Sequence, residues 1–135
     1  MQFITDRTQE DVLLKNQKGR YTYRDLNRVE QAVKELSLQA AALDCPVLST
    51  KTDWGLPGDF SKDTWPTESQ MERFLGNVQS LCSCVLLAAE LPFTMQELTW
   101  EGANNIEKAL EQVQQRIAAA KTAFQYSGEL FAGEE

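Results

Sequence analysis

An asparagine and a glutamate one helical turn apart occur twice in this sequence, each time at the same distance after a threonine. The two sets are Thr22, Asn27 and Glu30, and Thr99, Asn104 and Glu107. A carboxylate beside an amide oxygen offers oxygen ligands to a hard cation, so a pseudo-twofold axis that brought Glu30 close to Glu107 would form a cation site. The simpler interpretation is that each pair orders the start of its helix or a contact between helices.

Both sets belong to a longer repeat, because residues 22–33 recur in modified form as residues 99–110. The threonine, the asparagine, the glutamate and one alanine are identical in the two copies, and three further positions exchange one aromatic or aliphatic residue for another. Each copy places apolar residues at three- and four-residue steps, which is typical of an amphipathic helix. The repeat predicts two long helices that begin alike, superpose over their first turns and pack on one another.

Other catalytic chemistry finds little support in the sequence. The chain contains no histidine, which excludes Ser-His and Cys-His nucleophile pairs and histidine-based zinc or di-iron sites. No glycine-rich phosphate-binding loop of a known spacing occurs either. We therefore expect a protein that is not an enzyme, with no catalytic residue, no cofactor and no metal site.

The three cysteines show no framework spacing. They are Cys45, Cys82 and Cys84. On a helix, Cys82 and Cys84 would point about 200° apart, so they cannot bond to each other. The odd number and irregular spacing favour small buried residues in a reducing compartment.

The chain is acidic, with a net charge of −7, and most of that charge lies in residues 88–135. Basic residues cluster between positions 15 and 34. This cluster is either a solvated face or a face that contacts the acidic last third of the chain, within one subunit or between subunits. Without a basic stripe along the chain, we expect no nucleic acid as a partner.

No apolar run approaches the ~20 residues that span a bilayer, and the N-terminus lacks a signal sequence. The sequence predicts no membrane association and a cytoplasmic location on synthesis.

Threonines that open capping boxes mark the predicted helix starts. Thr8, Thr22 and Thr67 are followed three residues later by Asp11, Asp25 and Gln70. Such pairs satisfy free backbone N–H groups in the first helical turn. Apolar stripes extend from these starts and from Thr99, and predict helices near residues 8–17, 22–43, 67–88 and 99–124. The predicted fold is mainly α, an antiparallel bundle of three long helices plus a short N-terminal helix, in a single domain of residues 1–135.

A long aromatic loop, residues 44–66, separates the second predicted helix from the third. It contains Trp54, Phe60 and Trp65. A loop of this length is usually functional or packed by its own side chains. These aromatic residues either pack on the bundle or form an exposed patch that contacts a protein partner.

The last ten residues, 126–135, break the helical period. They include Tyr126, Leu130 and Phe131, which are further candidate contacts with a protein partner. This segment is predicted to form a short extended arm that docks on a sheet edge of this subunit or another; the alternative is a frayed tail.

Several segments resemble a family of small, functionally uncharacterised proteins of phages and prophages of Gram-positive bacteria. They are residues 21–30, 51–54, 66–67, 71–78, 98–110 and 126–134. Members are encoded near tail or baseplate genes. The resemblance implies a non-enzymatic structural or assembly component of a prophage tail or baseplate, associated with the virion, whose partners are proteins, either itself or other tail proteins. The alternative is a cytoplasmic helical adaptor or regulatory protein-binding module.

Overall fold

The computed structural model describes the backbone of residues 1–59 and 66–134, and their side chains as far as residue 123. These residues form four α-helices and no strand: α1 (Gln9–Leu14), α2 (Tyr23–Ala40), α3 (Glu68–Cys84) and α4 (Trp100–Glu134). A short 3₁₀ turn at Ala41–Leu43 extends α2. The predicted mainly α fold with four helices is confirmed. Within the described chain, no helix combines the length and the apolar character that crossing a membrane requires.

The predicted threonine caps are present at the helix starts. Thr8, Thr22 and Thr67 each open a capping box with the side chain three residues later. Thr99 lacks such a partner, and its hydroxyl accepts a hydrogen bond from the backbone N–H of Gly102 at 3.0 Å. Both copies of the repeat therefore begin a helix in the same way, with a threonine that satisfies a free backbone donor.

Two helices end earlier than predicted because the backbone turns into the left-handed region. α1 stops at Leu14, since Lys15 has a φ of 51° and its N–H returns to the carbonyls of Asp11 and Val12. α3 stops at Cys84, and Leu86, two residues on, has a φ of 58°. A residue in this conformation commonly terminates a helix. That residue is usually glycine, because other residues seldom adopt a positive φ.

The three long helices pack against one another in pairs and enclose the apolar core. Leu36 of α2, Val78 of α3 and Leu110 of α4 have no exposed surface. Trp54 is 1% exposed and packs in the same core, so it offers no surface to a partner. The other two aromatic residues of the loop, Phe60 and Trp65, lie outside the described residues.

A disulfide links Cys45, just after the 3₁₀ turn, to Cys84 in the last turn of α3, with 6.0 Å between their Cα atoms. The prediction of three free buried cysteines is therefore wrong for this pair, and it holds for Cys82, which is free and buried. The two bonded residues lie 39 positions apart. Their proximity depends on how α2 packs on α3, which their spacing in the sequence does not reveal.

The predicted extended arm at the C-terminus is wrong. α4 continues to Glu134 without a break, because residues 126–134 contain no proline, and glycine lowers helix propensity without forbidding a helix. The side chains of Tyr126, Leu130 and Phe131 lie outside the described side chains.

Candidate functional site

The two repeated asparagines make the same unusual contact. The side-chain oxygen of Asn104 accepts from the backbone N–H of Arg7 at 3.1 Å, and its amide nitrogen donates to the Arg7 carbonyl at 2.9 Å. Asn27 binds Trp54 in the same way, with both distances at 2.8 Å. Each asparagine thus satisfies both backbone groups of one residue in a non-helical segment, as a neighbouring strand would.

The two repeated glutamates bind the same segments three residues earlier. Glu107 Oε1 accepts from the backbone N–H of Ile4 at 3.1 Å. Glu30 Oε1 accepts from the backbone N–H of Lys51 at 3.0 Å. Each Asn–Glu pair therefore holds a four-residue segment at both ends, residues 4–7 on α4 and residues 51–54 on α2.

A side chain from each segment then reaches the second oxygen of the same carboxylate. Arg7 Nη2 donates to Glu107 Oε2 at 2.6 Å, and the indole nitrogen of Trp54 donates to Glu30 Oε2. Arginine and tryptophan are chemically different, but both deliver an N–H donor from the end of a large side chain. The segment and the carboxylate are thereby joined through main chain and side chain.

An arginine from a neighbouring helix completes each site. Arg28 of α2 forms a fork with Glu107, at 2.7 Å to Oε1 and 2.9 Å to Oε2. Arg73 of α3 also forms a fork with Glu30, through its two terminal nitrogens Nη1 and Nη2, at 2.6 Å and 3.2 Å. We call these arrangements the Glu107 cluster (residues 4–7, Arg28, Asn104 and Glu107) and the Glu30 cluster (residues 51–54, Asn27, Glu30 and Arg73).

The fold therefore contains a larger internal repeat than the two helix starts. Both bound segments carry Thr-Asp in their middle, as Thr5-Asp6 and Thr52-Asp53. The two arginines also share a position, since Arg28 and Arg73 lie equally far after the capping residues Thr22 and Thr67. Sequence reasoning missed these features, although the repeated Thr-Asp pair was available as a signal.

The Glu107 cluster is a buried, charge-balanced network. Arg7 is 3% exposed and Glu107 has no exposed surface. Asp25 adds a second carboxylate, 3.2 Å from Arg7 Nη2 and 2.6 Å from Arg28 Nη2. Burial opposes the charge on Arg28, but the hydrogen bonds that it donates to Glu107 and Asp25 outweigh burial and raise the pKa of this guanidinium. Two cations thus face two anions, and three of the four side chains are buried, so removing one leaves the others uncompensated.

Tyr21 lies beside this network with an unsatisfied hydroxyl. The Arg7 guanidinium is 5.7 Å from the centre of its ring. Its hydroxyl is buried and, in the described part of the chain, has no hydrogen-bond partner. Burial raises the pKa of Tyr21 above its ordinary value, and the negative charge of Glu107 raises it further.

The cation site that a close approach of Glu30 to Glu107 would create is not found among the described residues. Each carboxylate is instead occupied by its own arginine and its own backbone N–H group. Among the residues that the structure describes, no group of three or more acidic or cysteine side chains is placed to hold a metal ion. The simpler interpretation of the Asn–Glu pairs, a contact between helices, describes the Glu107 cluster well, since it joins α2 to α4.

An apolar groove opens beside the clusters, between the start of α2, one face of α3 and residues 93–98. Its volume is about 880 Å³. Its apolar walls include Tyr23, Leu26, Met71, Leu75 and Leu98. On the α3 side the groove also contacts the carboxylate residues Glu68 and Glu72.

No family model, no curated protein and no solved structure matches this chain.

Proposed function

We propose that this protein is a non-enzymatic structural or assembly component of a prophage tail or baseplate, acting through contacts with other proteins. The observation that carries the proposal is the apolar groove between α2, α3 and residues 93–98. Phe93 at its edge is fully exposed, at 100%. A groove of this size with a free phenylalanine at its edge is typical of a surface that another protein covers.

The two clusters support this role by making the groove rigid. Each cluster joins a non-helical segment to a helix. An arginine fork then joins that helix to a neighbouring one, α4 to α2 in the Glu107 cluster and α2 to α3 in the Glu30 cluster. Forked charge-assisted hydrogen bonds have fixed geometry. We further propose that they hold the three long helices in an antiparallel bundle, so that the groove keeps one shape before and after a partner binds. A preformed surface loses less conformational entropy on binding.

The phage context comes from the sequence resemblance, and one experiment tests it. The prophage that encodes the protein would be induced, and its particles purified on a density gradient and probed with an antibody against the protein. A tail component is expected to co-sediment with the particles and to be absent from particles of a deletion strain. A protein that stays in the soluble lysate would contradict the proposal and favour the cytoplasmic adaptor.

A further inference from the structure

The N-terminal part of the chain forms a lobe at the surface of the domain, and no residue of this lobe is buried. The lobe, residues 8–20, leaves the body at Arg7 and returns at Tyr21, and these two residues are in contact through the guanidinium and the ring. It is held by polar bonds of its own, such as Asn16 to Asp11 at 2.7 Å, and by Lys18 to Asp6 at 2.7 Å. The lobe is therefore a compact loop whose ends are close together.

The second half of the helix within this lobe is apolar and exposed. α1 buries none of its residues. Val12, Leu13 and Leu14 are 41%, 74% and 67% exposed. A short helix gains nothing in stability from exposed leucines, and consecutive exposed apolar residues are typical of a contact site.

The end of the lobe that follows α1 is complementary in charge to the groove, whereas the first turn of α1 carries Glu10 and Asp11. Lys15 and Arg20 follow α1, and within the described chain neither forms an ion pair. Glu68 and Glu72 lie along the groove and are likewise free of ion pairs there. Basic groups next to exposed leucines would meet acidic groups next to an apolar groove, which favours encounter in one orientation.

We infer that the occupant of the groove is the α1 lobe of a second copy of this chain. Leu13 and Leu14 enter the groove, and the basic end of the lobe faces Glu68 and Glu72. The lobe and the groove are different surfaces, so each copy uses one surface to bind the copy before it and the other to bind the copy after it. Contacts of this head-to-tail kind close into rings or extend into filaments. The inference rests on the proposed function, for which it names the partner.

Gly76 provides a clean way to block the groove. It lies in α3 and lines the groove, and a Cβ built on it meets no atom within 4 Å. Methionine is also a better helix former than glycine. Gly76→Met should therefore fill the groove and leave the fold intact, which circular dichroism and thermal unfolding would verify.

The test compares three variants of the full chain by sedimentation velocity at low salt. Leu13→Asp combined with Leu14→Asp removes the lobe surface, Gly76→Met blocks the groove, and Leu38→Asp is the control. Leu38 is also exposed, at 56%, but lies outside both surfaces. We expect the unmodified chain and the control to assemble, and the lobe and groove variants to remain monomers. Assembly of the unmodified chain should weaken as salt is added.

Mixing the lobe variant with the groove variant gives the decisive result. One retains a working groove and the other a working lobe, so an equimolar mixture should form a heterodimer and go no further. An unmodified chain that remains monomeric at millimolar concentration would overturn the inference, as would a mixture that stays monomeric while the unmodified chain assembles. A monomeric chain that still co-sediments with particles would overturn the inference alone, and a self-assembling chain absent from particles would overturn only the proposed function.

Discussion

Two glutamates at equivalent positions of the fold differ in how their loss would be tolerated. Glu107 faces Arg7 and Arg28, and the Arg7 side chain is only 2% exposed. Glu30 faces one arginine, Arg73, whose side chain is 28% exposed. A buried cation that loses its partner remains unsolvated, whereas a partly exposed one turns to water. The same residue type therefore has a different energetic role in each cluster.

Glu107→Gln should lower the free energy of unfolding by about 3–5 kcal/mol, because it leaves two arginines with Asp25 as their one carboxylate. Glu30→Gln should lower it by about 1–3 kcal/mol, the usual loss when a buried hydrogen-bonded group is compromised. Urea unfolding of both variants measures the difference, with Glu90→Gln at an exposed loop position as the control. Equal losses of stability for the two variants would contradict the explanation that the burial of the arginine partner sets the size of the loss.

Tyr21→Phe should stabilise the protein, by about 1 kcal/mol, because it removes a buried hydroxyl that finds no partner among the described residues. Its effect should also depend on pH. The folded state raises the pKa of Tyr21. Its titration therefore leaves the stability unchanged below the unfolded pKa of about 10, and the stability falls as the pH rises above that value because the unfolded state releases the proton first.

Thermal unfolding between neutral and alkaline pH tests both parts of this prediction. The unmodified protein should lose more stability above pH 10 than Tyr21→Phe does. Tyr23→Phe is the matched control, because the hydroxyl of Tyr23 is not among the buried unpartnered atoms. A lower melting temperature for Tyr21→Phe at neutral pH would mean that the hydroxyl has a partner in solution.

At the scale of the helices, the repeated threonine caps are the features that the sequence specifies locally. Thr22→Ala and Thr99→Ala should each lower the free energy of unfolding by about 0.5–2 kcal/mol, the usual loss for an N-cap. Thr22→Ala should be the more damaging, since Thr22 also belongs to a capping box with Asp25, and Asp25 contacts both arginines of the Glu107 cluster. Denaturant unfolding compares them, and Thr94→Ala in the loop before α4 is the control.

Helix positions could be predicted from the sequence because caps and apolar periodicity are local. The positions of Asn27, Glu30, Asn104 and Glu107 followed from the repeat, yet their partners did not. Arg7 is distant in sequence from Glu107, and the Thr-Asp pair that residues 4–7 share with residues 51–54 is too short to mark them as a bound segment by itself. The Cys45–Cys84 disulfide was not predicted for the same reason, since its two cysteines are also distant in sequence. The early end of α1 depends on one left-handed residue, Lys15, which periodicity cannot anticipate.

At the scale of the whole molecule, the disulfide fastens one end of α2 to one end of α3. It closes a loop of 39 positions, and in a chain-entropy treatment a loop of that length contributes about 4 kcal/mol. Cys84→Ser should therefore lower the midpoint of thermal unfolding, and a reducing agent should lower that of the unmodified protein to a similar value. Cys82→Ser, at the free cysteine, leaves the sensitivity to reduction in place. An unmodified protein indifferent to the reducing agent would contradict the bond.

The Glu107 cluster has a consequence for the order in which the chain folds. The contacts of the Glu30 cluster join residues 21 to 43 positions apart, so α2, residues 51–54 and α3 can assemble while the rest of the protein is still being synthesised. The contact between Arg7 and Glu107 forms later, because Glu107 lies 100 positions further along the chain and closing so long a loop is slow. During translation residues 4–7 therefore leave the ribosome long before their binding site on α4 exists, and until then Asp25 is the one carboxylate of the Glu107 cluster that Arg7 can reach.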